Sequence, residues 1–141
     1  MAPEILNLPN NKLPQVINKT VEIINATDWG GANRIPGGLF TECYNLTSVD
    51  LNGITSIGSD AFSLCTNLIS IQNTDNIISI GNNALAVTGL TKLNLPNCTS
   101  IGGSCVDSSE ITKIIIGGKC NIGAYAFASA TKLRALVLTN N

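Results

Sequence analysis

The side chains of this 141-residue sequence that could do chemistry are nine carboxylates and five cysteines, with no histidine among them. Acid–base work would therefore fall to Glu4, Glu22, Asp28, Glu42, Asp50, Asp60, Asp75, Asp107 and Glu110. Carboxylate catalysis needs two such groups held within about 5–9 Å of one another. These nine fall in turns or at outward strand positions at unrelated offsets, so they read as a solvated surface. A metal site needs converging thiolates, imidazoles or carboxylates, and the sequence has no CxxC pair. Gly30-Gly31 and Gly117-Gly118-Lys119 lack the GxxxxGK[ST] spacing of a phosphate cradle and read as turns. The expectation is a protein that is not an enzyme and carries no catalytic residue, cofactor or metal.

The cysteines instead keep step with a repeat. Ile57-Gly58-Ser59-Asp60-Ala61-Phe62 returns as Ile80-Gly81-Asn82-Asn83-Ala84-Leu85, Ile101-Gly102-Gly103-Ser104-Cys105-Val106 and Ile122-Gly123-Ala124-Tyr125-Ala126-Phe127. A degenerate copy opens at Ile35. Cys43 and Cys65 both stand eight residues after a leading isoleucine, Cys105 takes the place of Ala61, Ala84 and Ala126, and Cys98 that of Ile54 and Ile77. A free cysteine packs as a small hydrophobe, so four of the five are expected as buried thiols in a reducing setting.

A second signature, LxxLxL, begins at 46, 68, 90, 111 and 133. Its last apolar positions alternate with polar ones, the period of a strand with one buried face. In the IGxxAF segment, Ala, Phe and Cys at offsets 4, 5 and 8 give the spacing of a short helical turn. A near-constant step of this size means one supersecondary unit stacked on copies of itself. The expected fold is an α/β repeat: a right-handed solenoid of about five coils, with a parallel sheet on one side and short helices or 3₁₀ turns on the other. Helical segments would stand nearly 10 Å apart, which argues against a Cys43–Cys65 bridge. In the third and fourth coils Leu85 and Val106 replace Phe, Thr88 and Ser109 replace Cys, and one residue is missing before the strand.

The stretch from Leu46 through Ile57-Gly58-Ser59-Asp60-Ala61-Phe62-Ser63-Leu64-Cys65-Thr66-Asn67-Leu68 resembles the BspA-like leucine-rich repeat. The resemblance covers about residues 35 to 138 and is most specific at Ile57 to Leu68 and Ile122 to Leu133. It implies a surface-exposed binding protein of the kind that bacteria and some protists use for attachment to proteins or cells. The family also has bacteriophage-encoded members, and its motif carries no catalytic residue. The lead-in from Leu13 to Ile23 resembles that of small phage-encoded members.

Ahead of the repeat, residues 1–19 read as an extended N-terminal arm rich in Asn and Pro, 20–34 as an N-terminal cap, and 35–141 as the solenoid. Thr20 to Ile24 reads as a short strand and Asp28-Trp29-Gly30-Gly31-Ala32 as a turn closing the first coil. Only 12% of residues are charged, about half the usual share, and the net charge is -1. Nothing supplies the basic stripe that nucleic acid requires. No stretch approaches the roughly 20 apolar residues of a membrane span, so no membrane insertion is expected. The start has no basic region followed by an apolar run, so no signal peptide is expected. On that expectation the sequons at Asn18, Asn25, Asn45 and Asn97 are products of composition.

What remains is binding. The outward strand positions read Ser48 and Asp50, Ser70 and Gln72, Lys92 and Asn94, Lys113 and Ile115, then Ala135 and Val137. The first eight are the candidate binding face. Lys92 and Lys113 should stand about 5 Å apart as like charges. Polarity falls toward the C-terminus, and the sequence leaves no room for a cap after Leu138, so Ala135, Val137 and Leu138 are expected to contact another subunit. Protein partners are expected: self-association, or neighbouring virion subunits met through the last coil and the N-terminal arm. The expected setting is a virion or phage tail, in attachment or particle stabilisation; the alternative is a bacterial cell-surface adhesin.

Overall fold

The computed structural model describes residues 19–107 and 110–140, and the expected arm over 1–19 falls almost wholly outside them. The chain is a parallel β-solenoid of about five turns. Six short strands lie along the LxxLxL line: β1 (Ile23–Ile24), β3 (Ser48–Asp50), β5 (Ser70–Gln72), β7 (Lys92–Leu95), β9 (Lys113–Gly117) and β11 (Ala135–Thr139). Five two-residue strands lie at the start of each repeated phrase: β2 (Arg34–Ile35), β4 (Ser56–Ile57), β6 (Ser79–Ile80), β8 (Ser100–Ile101) and β10 (Asn121–Ile122). The second set pairs in one unbroken parallel sheet, a spine not anticipated from the sequence. The first set divides into β1-β3-β5 and β7-β9-β11.

The division falls where the residue count changes. Leu46 to Ile57 is 11 steps and Leu68 to Ile80 is 12, so the third coil carries one extra residue before its spine strand. Asn73 absorbs it with a φ of 58°, and Thr74 then takes the inward place held by Leu51, Leu95 and Ile116. Thr74 is buried, and its hydroxyl donates to the Asn94 carbonyl. A little further on, Leu85 to Leu90 is 5 steps where Phe62 to Leu68 is 6. With an insertion and a deletion between them, β5 and β7 lose register, while the spine strands β4, β6 and β8 stay paired.

The expected helices on the far side are not formed. Among the described residues the one helical element is a 3₁₀ turn, Ala26–Trp29, ahead of the repeats. Each IGxxAF segment is instead a run of turns whose amides alternate in direction. Asp60, Phe62 and Leu64 donate across to Asn82, Ala84 and Ala86 of the next coil at 2.8–3.0 Å, while Ala61, Ser63 and Cys65 donate three residues back. The alternation requires positive φ at the third and seventh residues after the isoleucine: Gly38 and Glu42, Asp60 and Leu64, Asn83 and Val87, Tyr125 and Ser129. A helix turns every amide along its own axis and could not hydrogen-bond to its neighbour. Without helices, the segments that carry Cys43 and Cys65 lie in direct backbone hydrogen-bond contact and not at the expected separation of about 10 Å. Glu42 donates to Ser63 at 2.9 Å, the Cys65 thiol donates to the Phe40 carbonyl at 3.0 Å, and Cys43 and Cys65 are both free and buried.

Phe40 and Phe62 stack at 5.1 Å with planes 8° apart, and Trp29 meets Phe40 edge-on at 6.0 Å. Leu85 and Val106 extend this column. On the spine each coil settles onto the one before through glycine. A Cβ at Gly58, Gly81, Gly102 or Gly123 would lie 2.4–2.5 Å from a backbone nitrogen of the preceding coil. That closeness explains the glycine in every IGxx phrase.

Candidate functional site

The eight residues of the candidate face lie on the two separated sheets and do not form one surface ladder. On the first, Ser48 pairs with Ser70 and Asp50 with Gln72. On the second, Lys92 pairs with Lys113 and Asn94 with Ile115, and the rows continue to Ala135 and Val137 on β11. The two lysines are thus direct neighbours, as their places in the repeat require. Asp50 is engaged locally: its Oδ1 accepts from the Asn52 amide at 3.0 Å and the Asn73 side chain at 2.8 Å. The second sheet therefore presents exposed cations grading into an apolar edge, and the first presents hydroxyls, an amide and a bound carboxylate.

On β11 the core positions change character. Leu93, Leu95 and Ile101 are 1%, 0% and 2% exposed, whereas their counterparts Leu136, Leu138 and Ile122 are 47%, 57% and 44% exposed. Val137, on the outward side, is 41% exposed and Tyr125 is 78% exposed. Of the expected contact residues, Val137 and Leu138 are open to solvent, Ala135 is half-buried, and Leu138 belongs to the inward row. Leu136 and Ile122 join the patch and were not singled out by the alternation alone, because their type is that of any core position.

Glu110 forms an ion pair with Lys132 on the next coil, both exposed. Among the described residues no three His, Cys, Asp or Glu side chains are grouped so as to hold a metal, and no helix is long and apolar enough to cross a membrane. Burial pushes the Cys98 thiol up to about 11 and Cys105 to about 12. Cys65 is raised by its hydrogen bond with Cys43 and by burial, and Cys43 is lowered by the same bond. Cys120, half-buried, is raised by desolvation.

Ile69 and Ile78, 66% and 51% exposed, are further surface features. Each interrupts a column of threonines (Thr47, Thr91 and Thr112; Thr55 and Thr99), of which Thr47, Thr55, Thr99 and Thr112 donate to carbonyls of the preceding coil. The interruption is legible once the sequence is aligned coil by coil. A shallow groove along the spine is lined by Arg34, Ser56, Ser59, Ser79, Asn82 and Ser100.

The model of the BspA type leucine-rich repeat region matches residues 32–141 in six copies. Two solved structures share the fold. A leucine-rich repeat protein from Bacteroides ovatus aligns at 23% identity with a TM-score of 0.75, over 86% of this chain and 32% of that one. A leucine-rich repeat protein from Eubacterium ventriosum aligns at 24% identity with a TM-score of 0.74, over 86% of this chain and 33% of that one. The chain thus spans about a third of the length of either protein. No curated protein matches the sequence significantly.

Proposed function

The chain belongs to the BspA-type leucine-rich repeat family, and from that premise we propose that it is a non-catalytic module that binds protein through the second sheet and its last coil. The observation that carries this reading is the opening of the core row. Positions at most 2% exposed on the neighbouring coils are 44–57% exposed at Ile122, Leu136 and Leu138. Burying a leucine fully contributes about 1.5–3 kcal/mol, so a partner that covers this row gains binding energy from side chains the repeat already supplies. Lys92 and Lys113, with the outward Ile115 and Val137, extend the same surface along paired strands. The sparse charge of the chain opposes association weakly.

The setting proposed is a virion or phage tail, where the last coil packs on a neighbouring subunit and the outward face serves attachment or stabilises the particle. The low charge and the lead-in ahead of the repeats support it. Mass spectrometry of purified particles and of cell envelopes tests it: stoichiometric protein in particles is expected. Recovery in the envelope fraction alone would replace this setting with that of a cell-surface adhesin, which would use the same face.

A further inference from the structure

Four of the five thiols stand in two stacked pairs, and the pairs differ in access. β8 and β10 align Ser100 with Asn121, and the Asn121 amide donates to the Thr99 carbonyl at 2.9 Å. Cys120 therefore lies across the ladder from Thr99, one residue from Cys98. With parallel strands about 4.8 Å apart, this diagonal sets the two Cα atoms about 6 Å apart, inside the roughly 4.4–6.8 Å that a disulfide spans. The Cys98 Sγ lies 3.3 Å from the carbonyls of Ile78 and Ser100, and each of the two thiols perturbs the ionisation of the other. Cys120 occupies the threonine column at the surface and is half-buried, while Cys98 is buried behind it.

We propose that Cys98 and Cys120 form a modification site that closes into an inter-coil disulfide by exchange with a small-molecule disulfide of the glutathione type. The Cys120 thiolate attacks the reagent, forms a mixed disulfide and expels one glutathione thiolate. The Cys98 sulfur then attacks that of Cys120, forms the protein disulfide and expels the second. Two protein S–H bonds are oxidised, the reagent S–S bond is reduced, and the two protons that the protein thiols release end on the two expelled glutathione thiolates, giving two thiols. Cys43 and Cys65 hold equivalent places on neighbouring coils, but both are fully buried, so no reagent reaches them in the folded chain. The closed site fastens the coil that carries Ile122 to its neighbour.

The folded full chain is incubated with oxidised glutathione at mildly alkaline pH, then unfolded in denaturant, blocked with N-ethylmaleimide and measured by intact mass and peptide mapping. The expected product has lost two hydrogens, takes up two fewer N-ethylmaleimide groups, maps to Cys98–Cys120, and reopens with reductant. Cys120→Thr, which restores the residue type of its own column, abolishes closure, and Cys98→Ala stops at the glutathione adduct on Cys120. A lasting adduct on wild-type Cys120 with Cys98 free, a bridge mapped elsewhere, or five unmodified thiols would each overturn the proposal.

Discussion

The indole N–H of Trp29 donates to the backbone carbonyl of Asp50 at 2.7 Å and so ties the first coil to the end of β3. Trp29 is 1% exposed and its ring meets Phe40 edge-on. Trp29 thus performs for the first coil what stacking performs for the others: it covers the phenylalanine column and satisfies a carbonyl. Trp29→Ala is expected to cost about 3–5 kcal/mol, the usual range for deleting a buried aromatic. Trp29→Phe should cost about 1–3 kcal/mol, chiefly through the unpaired Asp50 carbonyl. Urea unfolding followed by circular dichroism measures both.

Each spine glycine is a contact between coils, so the penalty for a methyl group there follows the contact. At Gly102 a Cβ would sit 2.4 Å from the Asn82 nitrogen. Gly102→Ala is expected to lose about 1–3 kcal/mol or more, because the clash is with backbone that cannot turn aside. At Gly53 nothing lies within 4 Å of a Cβ, and only the φ of 85° opposes one; Gly53→Ala should cost about 1 kcal/mol. Melting temperatures of the two variants should separate in that order.

Val87 holds a φ of 57°, in a place where other coils carry Glu42, Leu64 and Ser129. A β-branched residue there is strained by about 1–3 kcal/mol, and asparagine tolerates the conformation far better. Val87→Asn should therefore leave the melting temperature unchanged or raise it, although it removes a half-buried apolar side chain. A clear drop in scanning calorimetry would show that the alternating turn geometry is not maintained at this coil.

The raised thiols give alkaline unfolding a definite sign. In the unfolded chain Cys98 and Cys105 ionise near the ordinary 9.0, and in the folded chain burial holds them to about 11 and about 12. The unfolded state therefore binds fewer protons through this interval. The stabilisation is fully present below pH 9 and is lost as pH rises toward 11 and 12, at up to about 1.4 kcal/mol per pH unit for each thiol. Cys105→Ala places alanine where Ala61, Ala84 and Ala126 already stand. It should keep near-normal stability at neutral pH and show a shallower alkaline decline in denaturant midpoints.

The LxxLxL period was legible in the sequence because strand alternation leaves one interpretation of Leu93-Asn94-Leu95, and the buried places of Cys43, Cys65, Cys98 and Cys105 followed from the register of the IGxxAF phrase. The far side was not legible. Ala61, Phe62 and Cys65 have a spacing shared by a helix and by stacked turns, and only the positive φ angles separate the two. Asp60 and Asn83 hint at such angles, but Leu64 and Val87 in equivalent roles conceal them. The divided sheet was written in the count between Leu68 and Ile80, yet a one-residue change reads as turn variation until the pairing of β5 is known. Of the candidate face, the neighbouring lysines Lys92 and Lys113 followed from register alone, whereas the opening of Leu136 and Ile122 depends on what covers them, which residue type does not encode.

The claim that the last coil docks on protein is tested most directly by multi-angle light scattering of the purified 141-residue chain at micromolar concentration. The predicted result is a mass above that of the monomer, returning to the monomer in Val137→Glu, where a charge enters the exposed edge of β11. A strict monomer on which Val137→Glu has no effect would contradict it.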